Sequence, residues 1–500
     1  MPGFHIENFG CRAARADGEA IAGHLRAFAE RQPLGADVVV VNTCSVTSEA
    51  DRAARAFIRR THRRNPAARI VVTGCYAQRA PEELAAMPGV AAVVGNSHKA
   101  FAPEIVFGLA AQGASEPFGL SPSLVPVASL LSAGAAQAAP IWADDRFAHS
   151  FLEEAHLAPG VQTRPNLKIQ EGCGNRCTFC VIPLPRGPSK SLPHAVVLRR
   201  VEEFVAAGGK ELVLSGINLG RWGRDFSTGL GREPLAGPGE ASLADPREES
   251  LAELIRDILT RTALPRLRLS SIEPMDWNDE LIGLVREFGG PHEAGSASAG
   301  GLKSEGRSGG RLARHAHLPL QSGSDAVLRR MHRRYRPWHY ADKVSALVGA
   351  AGPDLTLGAD VMAGFPGETD SEFEETLSFV RTLPFGYLHL FPFSPRPGTP
   401  GWALHAASPV PPAAVEERMA ALRALAAEKT RVHRSHFIGR ELAAITLHTP
   451  HSLACRGFTA ALTENFVPVS LGGQFPSNQL VQVRITALGF DGELTALQGD

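Results

Sequence analysis

Long apolar runs are missing from this sequence of 500 residues. The most apolar stretch between regular elements, Val127–Pro140, is rich in alanine and falls short of the about 20 apolar residues that a membrane-spanning helix needs. Residues 1–7 contain no basic segment followed by an apolar core, so we expect no signal peptide. These absences predict a cytoplasmic protein that does not enter a membrane.

An excess of either charge is also missing, because Lys plus Arg and Asp plus Glu both total 51. The charge of the whole chain therefore argues neither for nor against nucleic acid as a partner, and only local patches can do so. Arg52, Arg55, Arg59 and Arg63 recur every three or four residues, so they lie along one face of a predicted helix. That stripe is either a solvated helix face or a surface that meets phosphates.

Cysteine is scarce, at seven residues, and in a reducing compartment it is more often a metal ligand or a reactive group than half of a disulfide. Cys173, Cys177 and Cys180 are spaced Cys-x3-Cys-x2-Cys after a predicted strand, Leu167–Gln170. Three thiolates can hold an iron–sulfur cube with one iron open to another ligand. A zinc site and a disulfide with one spare thiol are the alternatives. Zinc usually takes a fourth protein ligand, and no Cys or His follows until His194.

Residues 1–112 alternate strand-like and helix-like segments, which predicts a small parallel sheet with helices on both faces. Cys11, Cys44 and Cys75 each directly follow a predicted strand of this domain. Loops beyond the carboxyl ends of parallel strands share one crevice, so we expect these thiols to converge. The alternative is that they are ordinary buried cysteines.

The rest of the chain divides further, and the whole is predicted to be an α/β protein. Residues 113–160 form a linker or insertion, and residues 161–414 contain six strand–helix units typical of a partial (β/α)6 barrel. Gly229–Ser250 and Gly289–Gly310 are insertions rich in small and polar residues. Phe391–Pro400 is expected to be a stiff turn that closes the barrel. Residues 415–438 form a bridging helix, and residues 439–500 form a small β-barrel.

These motifs resemble those of the radical S-adenosyl-L-methionine (SAM) methylthiotransferases, closest to the branch that acts on threonylcarbamoyladenosine in tRNA. The resemblance rests on Gly172–Cys180, Asn42–Thr47, Thr73–Gln78 and, in a tail similar to the RNA-binding TRAM domain, Arg456–Thr459. One departure is Ala14, which stands where the family usually has Asn three residues after the first cysteine.

The resemblance implies two 4Fe–4S clusters, and it assigns Cys173, Cys177 and Cys180 as catalytic ligands of the cluster that binds and cleaves SAM. Cys11, Cys44 and Cys75 would hold the second cluster, which delivers the methylthio group. The partners implied are the tRNA anticodon stem-loop and an electron donor such as flavodoxin or ferredoxin, with no membrane. The target would be C2 of the adenine beside the anticodon, a loop base that can be splayed out.

Four predicted strand ends of the central domain are candidates for contacting SAM. Gly216 lets backbone pass close to a ligand, and Glu273 suits a ribose hydroxyl or an ammonium group. Arg333 can pair with the SAM carboxylate. Gly364 lies in a glycine-rich turn that opens a helix. Each of the four is equally explained by the geometry of a turn.

Two other functions remain open on the sequence alone. The same chemistry can act on isopentenyladenosine in tRNA or on an aspartate of a ribosomal protein. A protein of another class, a non-catalytic RNA-binding protein with zinc at the cysteines, also accounts for the thiol spacing.

Overall fold

The computed structural model describes residues 3–29, 37–111, 138–145, 147, 163–226, 249–290, 310–489 and 492–499. Most of the predicted linker and the central parts of the two predicted insertions lie outside these ranges. Two compact units emerge: one comprises Met1–His156, Glu171–Ser189 and Ser394–Trp402, and the other comprises Leu157–Gln170, Lys190–Phe393 and Ala403–Asp500. Within the described ranges, no helix is both long and apolar enough to cross a membrane.

The first unit is built on a five-stranded parallel sheet in the order β1-β2-β3-β4-β5. Its strands are β1 (Phe4–Asn8), β2 (Val38–Thr43), β3 (Arg69–Gly74), β4 (Val90–Gly95) and β5 (Ile141–Trp142). Its helices are α1 (Arg12–Ala29), α2 (Ser48–Arg64), α3 (Cys75–Arg79), α4 (Pro81–Ala85), α5 (Ala102–Ala111) and α6 (Pro183–Arg186), with a 3-10 turn at Asn96–Phe101.

The valine run of β2 explains why helices cover both faces of this sheet. Val38 and Val40 pack with α1 and α5 on one face, whereas Val41 packs with α2 and α3 on the other, because side chains alternate along a strand. Each fully buried valine of this kind contributes roughly 1.5–3 kcal/mol. The predicted small parallel-sheet domain is confirmed.

The second unit contains the predicted partial barrel. Parallel pairing joins β6 to β8 and β8 to β9, and β10, β11 and β12 form a second parallel group. An isolated bridge between Leu267 and Leu312 connects the two groups. The strands are β6 (Asn166–Glu171), β7 (Lys190–Ser191), β8 (Glu211–Gly216), β9 (Arg266–Leu269), β10 (His315–His317), β11 (Thr356–Ala363) and β12 (Phe385–Pro392).

Helices alternate with these strands, and several begin at side-chain caps. Ser250 and Glu253 form a capping box at the start of α8, and Thr369 and Glu372 form another at α12; such caps satisfy amide groups that the first helical turn leaves without partners. The helices are α7 (His194–Ala206), α8 (Leu251–Arg261), α9 (Asp279–Phe288), α10 (Asp325–Arg330), α11 (Pro337–Ala351), α12 (Asp370–Thr382), α13 (Pro400–Ala407) and α14 (Pro412–Ser435).

The carboxyl-terminal part of this unit is a closed barrel with strand order β13-β14-β15-β17-β16. Its core is an apolar cluster that includes Phe437, Leu471 and Val483. The predicted small β-barrel is therefore confirmed. Its elements are β13 (Glu441–Thr446), α15 (His451–Ala454), β14 (Phe458–Thr463), β15 (Pro468–Gly472), β16 (Leu480–Leu488) and β17 (Leu494–Gln498).

Candidate active site

The Cys-x3-Cys-x2-Cys loop begins where β6 ends. Gly172 has φ +71°, and a Cβ there would lie 1.9 Å from the carbonyl oxygen of Pro188, so only glycine fits this turn. The amide of Cys173 donates to the carbonyl of Gly187 at 3.2 Å, and the amide of Cys180 donates to that of Cys177 at 3.1 Å. All three cysteines are partly exposed. Backbone hydrogen bonds thus fix the conformation of the loop.

Cys11, Cys44 and Cys75 lie directly beyond the carboxyl ends of β1, β2 and β3, and the structure brings these segments together. A Cβ on Gly10 would lie 2.5 Å from Cβ of Cys44, so the loop carrying Cys11 touches Cys44 directly. Cys44 and Cys75 are buried, and Cys11 is exposed. Burial raises the pKa of Cys44 to about 12, and the neighbouring thiols of Cys75 and Cys11 add to the rise. Such a thiol stays protonated at neutral pH unless a cation binds it.

Neither cysteine triad has the spacing of a site for one zinc ion. Among the described residues, His317, Asp360 and His389 are the group of three whose metal-ligating atoms all lie within 4.8 Å of one another. This group contains no cysteine. Zinc–sulfur bonds of about 2.3 Å in a tetrahedron would hold the sulfur atoms roughly 4 Å apart. A cube whose irons each take one thiolate holds its ligands farther apart. The thiol-only donor sets therefore fit a cluster better than a zinc ion.

A buried arginine that the sequence analysis did not single out contacts the second triad. Arg186 is fully buried, and its Nε donates to Sγ of Cys75 at 3.2 Å. The same guanidinium pairs with Glu171 and with Asp17. Although burial opposes its charge, Cys75, Glu171 and Asp17 together raise the pKa of Arg186 well above its usual value. A permanent cation with a fixed N–H group thus faces a cysteine sulfur.

Lys99 completes the charge balance around Arg186. Its Nζ lies 3.0 Å from Asp17 and 3.5 Å from Glu171, and all three side chains are buried. Two cations therefore match two carboxylates, before any charge on the Cys75 sulfur is counted. Buried charges are stable only when they are paired in this way, so the network holds Arg186 firmly in place.

The segment Ser394–Trp402 belongs to the first unit and forms hydrogen bonds with segments of both cysteine sites. Arg396 is buried and donates to Oγ of Ser45, the residue after Cys44, at 2.8 Å. The amide of Gly401 donates to the carbonyl of Thr178, inside the Cys-x3-Cys-x2-Cys loop, at 2.7 Å. The sequence predicts a barrel-closing turn over Phe391–Pro400, and in the structure the overlapping segment Ser394–Trp402 contacts both cysteine loops.

The four residues predicted to contact SAM lie in the second unit and already have partners there. Glu273 and Arg333 form an ion pair with each other, so a ligand carboxylate at Arg333 would compete with Glu273. A Cβ on Gly216 would meet Gln170 at 2.9 Å. Gly364 has φ +76°, and a Cβ there would meet Val415 at 2.6 Å. Both glycines are thus required by the fold, and their contact with SAM stays a prediction.

Ala14, which stands where the family usually has Asn, is contacted through its backbone carbonyl. Asn42, at the end of β2, donates from Nδ2 both to the carbonyl of Ala14 and to Oδ1 of Asn8, the latter at 2.9 Å. The amide side chain that holds the first cysteine loop therefore comes from the second strand.

Comparison with known proteins adds to this picture. A family model described as "Uncharacterized protein family UPF0004" matches residues 3–95. Threonylcarbamoyladenosine tRNA methylthiotransferase MtaB of Bacillus subtilis is 32% identical over 495 residues, which cover 97% of this chain and 94% of that protein. A tRNA-2-methylthio-N(6)-dimethylallyladenosine synthase of Sorangium cellulosum is 33% identical over 457 residues, covering 88% of this chain and 80% of that protein.

Among solved structures, the radical SAM methyltransferase TsrM from Kitasatospora setae is similar over 76% of this chain and 68% of its own, with 15% identity and a TM-score of 0.42. That similarity is too distant to carry an inference about chemistry.

Proposed function

The chain belongs to the radical SAM methylthiotransferases, enzymes that use SAM and an iron–sulfur cluster, and from this premise we propose that it methylthiolates C2 of N6-threonylcarbamoyladenosine next to the tRNA anticodon. The observation that carries the proposal is the convergence of Cys11, Cys44 and Cys75 on one edge of a parallel sheet. This second thiol triad lies in the same compact unit as the Cys-x3-Cys-x2-Cys loop. One triad would suffice for SAM cleavage alone.

We propose that each triad holds one 4Fe–4S cluster. When bound, the cluster on the Cys173 loop supplies the electron that cleaves SAM for hydrogen abstraction, and the second cluster supplies the sulfur of the methylthio group. Residues of the chain would hold the clusters and control their surroundings. Buried Cys44 and Cys75 would hold the second cluster in surroundings that exclude water, and Arg186 would offset the negative charge of their thiolates. A small electron-transfer protein, flavodoxin or ferredoxin, would provide electrons.

The modified base is inferred from the names of the relatives. Relatives named for threonylcarbamoyladenosine and for dimethylallyladenosine, the isopentenyl-modified base, match this chain at similar identity. Relatives that carry the first name include those of Bacillus subtilis, Thermotoga maritima, Aquifex aeolicus and Rickettsia prowazekii, which are 29–32% identical over 88–97% of this chain. We therefore place threonylcarbamoyladenosine first and dimethylallyladenosine second.

Nucleoside analysis tests the substrate. Anaerobic enzyme with both clusters is incubated with SAM, a reductant and tRNA that carries either threonylcarbamoyladenosine or dimethylallyladenosine. We expect mass spectrometry of the digested tRNA to show the methylthio derivative of the first nucleoside, formed at least about tenfold faster than that of the second, a difference of roughly 1.4 kcal/mol. If only the dimethylallyladenosine tRNA gave product, dimethylallyladenosine would replace threonylcarbamoyladenosine as the proposed substrate. If neither tRNA gave product, both substrate proposals would be wrong.

The arginine stripe of α2 is the proposed contact for the tRNA backbone. Arg52 pairs with Glu49, and Arg55 pairs with Glu83. Arg59 and Arg63 are exposed, and neither forms an ion pair with another described residue. They lie in the last half of the helix, where cations are favoured by the helix dipole. This part of the stripe is available to phosphates.

Removing those two charges should weaken tRNA binding in a salt-dependent way. For the double variant Arg59→Gln/Arg63→Gln we expect the slope of log K against log salt to fall by roughly 0.7–0.9 for each lost phosphate contact. Binding is measured by filter retention at several salt concentrations. The matched control is Arg286→Gln/Arg423→Gln, which removes two exposed arginines from α9 and α14. Equal slopes in both double variants would show that α2 does not meet the tRNA.

A further inference from the structure

One face of the β10–β12 sheet carries an unusual set of polar side chains. In the parallel register, His317 aligns with Gly358, and Asp360 aligns with His389. Gly358 and Asp360 are two residues apart and so lie on the same face of β11. That register brings the two imidazoles to the carboxylate between them. Gly358 leaves space for the ring of Tyr387, which a Cβ would meet at 2.1 Å.

The three side chains approach one another through atoms that bind metals. Nε2 of His317 lies 3.4 Å from Oδ1 of Asp360, and Nδ1 of His389 lies 3.3 Å from the same oxygen. All three ligand atoms lie within 4.8 Å of one another. Two imidazoles and one carboxylate at this spacing form the facial donor set of mononuclear divalent metal sites.

The two nitrogens of His317 have different neighbours. Its Nδ1 lies 2.7 Å from Oγ of Ser271, the outer contact that typically fixes the orientation of a metal-binding imidazole. Its buried Nε2 is thereby directed toward the carboxylate of Asp360, where a cation could bind both groups.

The three residues can be reached from solvent. The side chain of His389 is 60% exposed and that of Asp360 is 25% exposed, so a cation can enter.

We propose that His317, Asp360 and His389 bind one divalent transition-metal cation, such as zinc or ferrous iron. The site uses no cysteine, and its three residues belong to the second unit, whereas both thiol triads belong to the first. Three protein ligands on one side of the ion leave at least one position for water or for another oxygen ligand.

Zinc retention tests this site in the intact enzyme. Anaerobically purified protein with its iron–sulfur clusters is dialysed against micromolar zinc and then against metal-free buffer, and zinc and iron per chain are measured by elemental mass spectrometry. We expect the unaltered protein to retain about one zinc more than His389→Ala or Asp360→Asn, because each variant removes one of three ligands. His389 is exposed, so its variant is the one expected to fold normally.

The controls separate this site from the cysteines. His339→Ala removes an exposed histidine of α11 and should retain as much zinc as the unaltered protein. Equal iron in all variants shows that the thiol sites are intact. Zinc contents that do not differ between the unaltered protein, His389→Ala and Asp360→Asn would overturn the proposal and leave the three residues as a hydrogen-bonded ion cluster.

Discussion

Cys44→Ala is expected to leave SAM cleavage intact while reducing methylthiolation more than about 100-fold, because even residues outside the ligand shell of a metal site cost 10–100-fold when removed. Cys177→Ala is expected to abolish both reactions. The physical reason is a division of work between the two thiol triads. Cys177 belongs to the partly exposed loop proposed to bind SAM, whereas Cys44 is buried among the thiols proposed to supply sulfur.

Two measurements on the same preparations check this result. Chromatography quantifies 5′-deoxyadenosine, the product of SAM cleavage, and nucleoside mass spectrometry quantifies the methylthio product. Iron should fall from about eight atoms per chain to about four in either variant, as one cube is lost. The control is Cys455→Ala, which removes the exposed cysteine of the terminal barrel and should change none of these values. If Cys44→Ala formed product at the normal rate, the second triad would have no role in sulfur delivery.

The sequence predicted much of this fold because its signals are local. The valine run of β2 and the helical periodicity of α2 define their elements without reference to the rest of the chain. The three cysteines of the first unit followed from a topological rule, since carboxyl-end loops of parallel strands share one edge. The glycine at 172, with a positive φ, was likewise visible as part of a motif.

The charged groups around the cysteines could not be predicted in the same way. Arg186 and Cys75 are 111 positions apart, and Lys99 and Glu171 are 72 apart. A buried ion network depends on which charged residues the folded chain brings together. The spacing of residues along the sequence does not show which residues those are. Nothing in the local sequence Pro183-Leu184-Pro185-Arg186-Gly187 indicates that its arginine meets a cysteine.

The predicted SAM contacts show a second limit. Glu273 and Arg333 were assigned to two different groups of one ligand, yet in the structure they pair with each other. Each residue was predicted to contact the ligand, and the sequence does not show that the two residues lie next to each other. The register that joins His317, Asp360 and His389 was missed for a related reason, because three separate strands contribute one residue each.

Arg186 carries the prediction with the second largest effect. Its guanidinium links the Cys75 sulfur to two carboxylates, and loss of one partner from a buried ion pair typically costs about 3–5 kcal/mol. Arg186→Met should therefore lower the free energy of unfolding by that amount, as urea denaturation would show. Arg186→Lys keeps a cation between Asp17 and Glu171 but lacks the planar fork that reaches three partners at once, so we expect it to fold with a smaller loss.

Arg186→Lys separates a role at the sulfur from a role in folding. Hydrogen bonds to cluster sulfurs make reduction easier, so losing the N–H donor at Cys75 should shift the midpoint potential of the second cluster to a more negative value, followed by redox titration with electron paramagnetic resonance. Methylthiolation should fall while 5′-deoxyadenosine formation persists. The matched control is Arg418→Lys, a buried arginine that pairs with Glu368 in the second unit; it should lower stability and leave the potential unchanged. A potential that does not respond to Arg186→Lys would limit Arg186 to holding the fold, because a structural role alone does not tune a cluster.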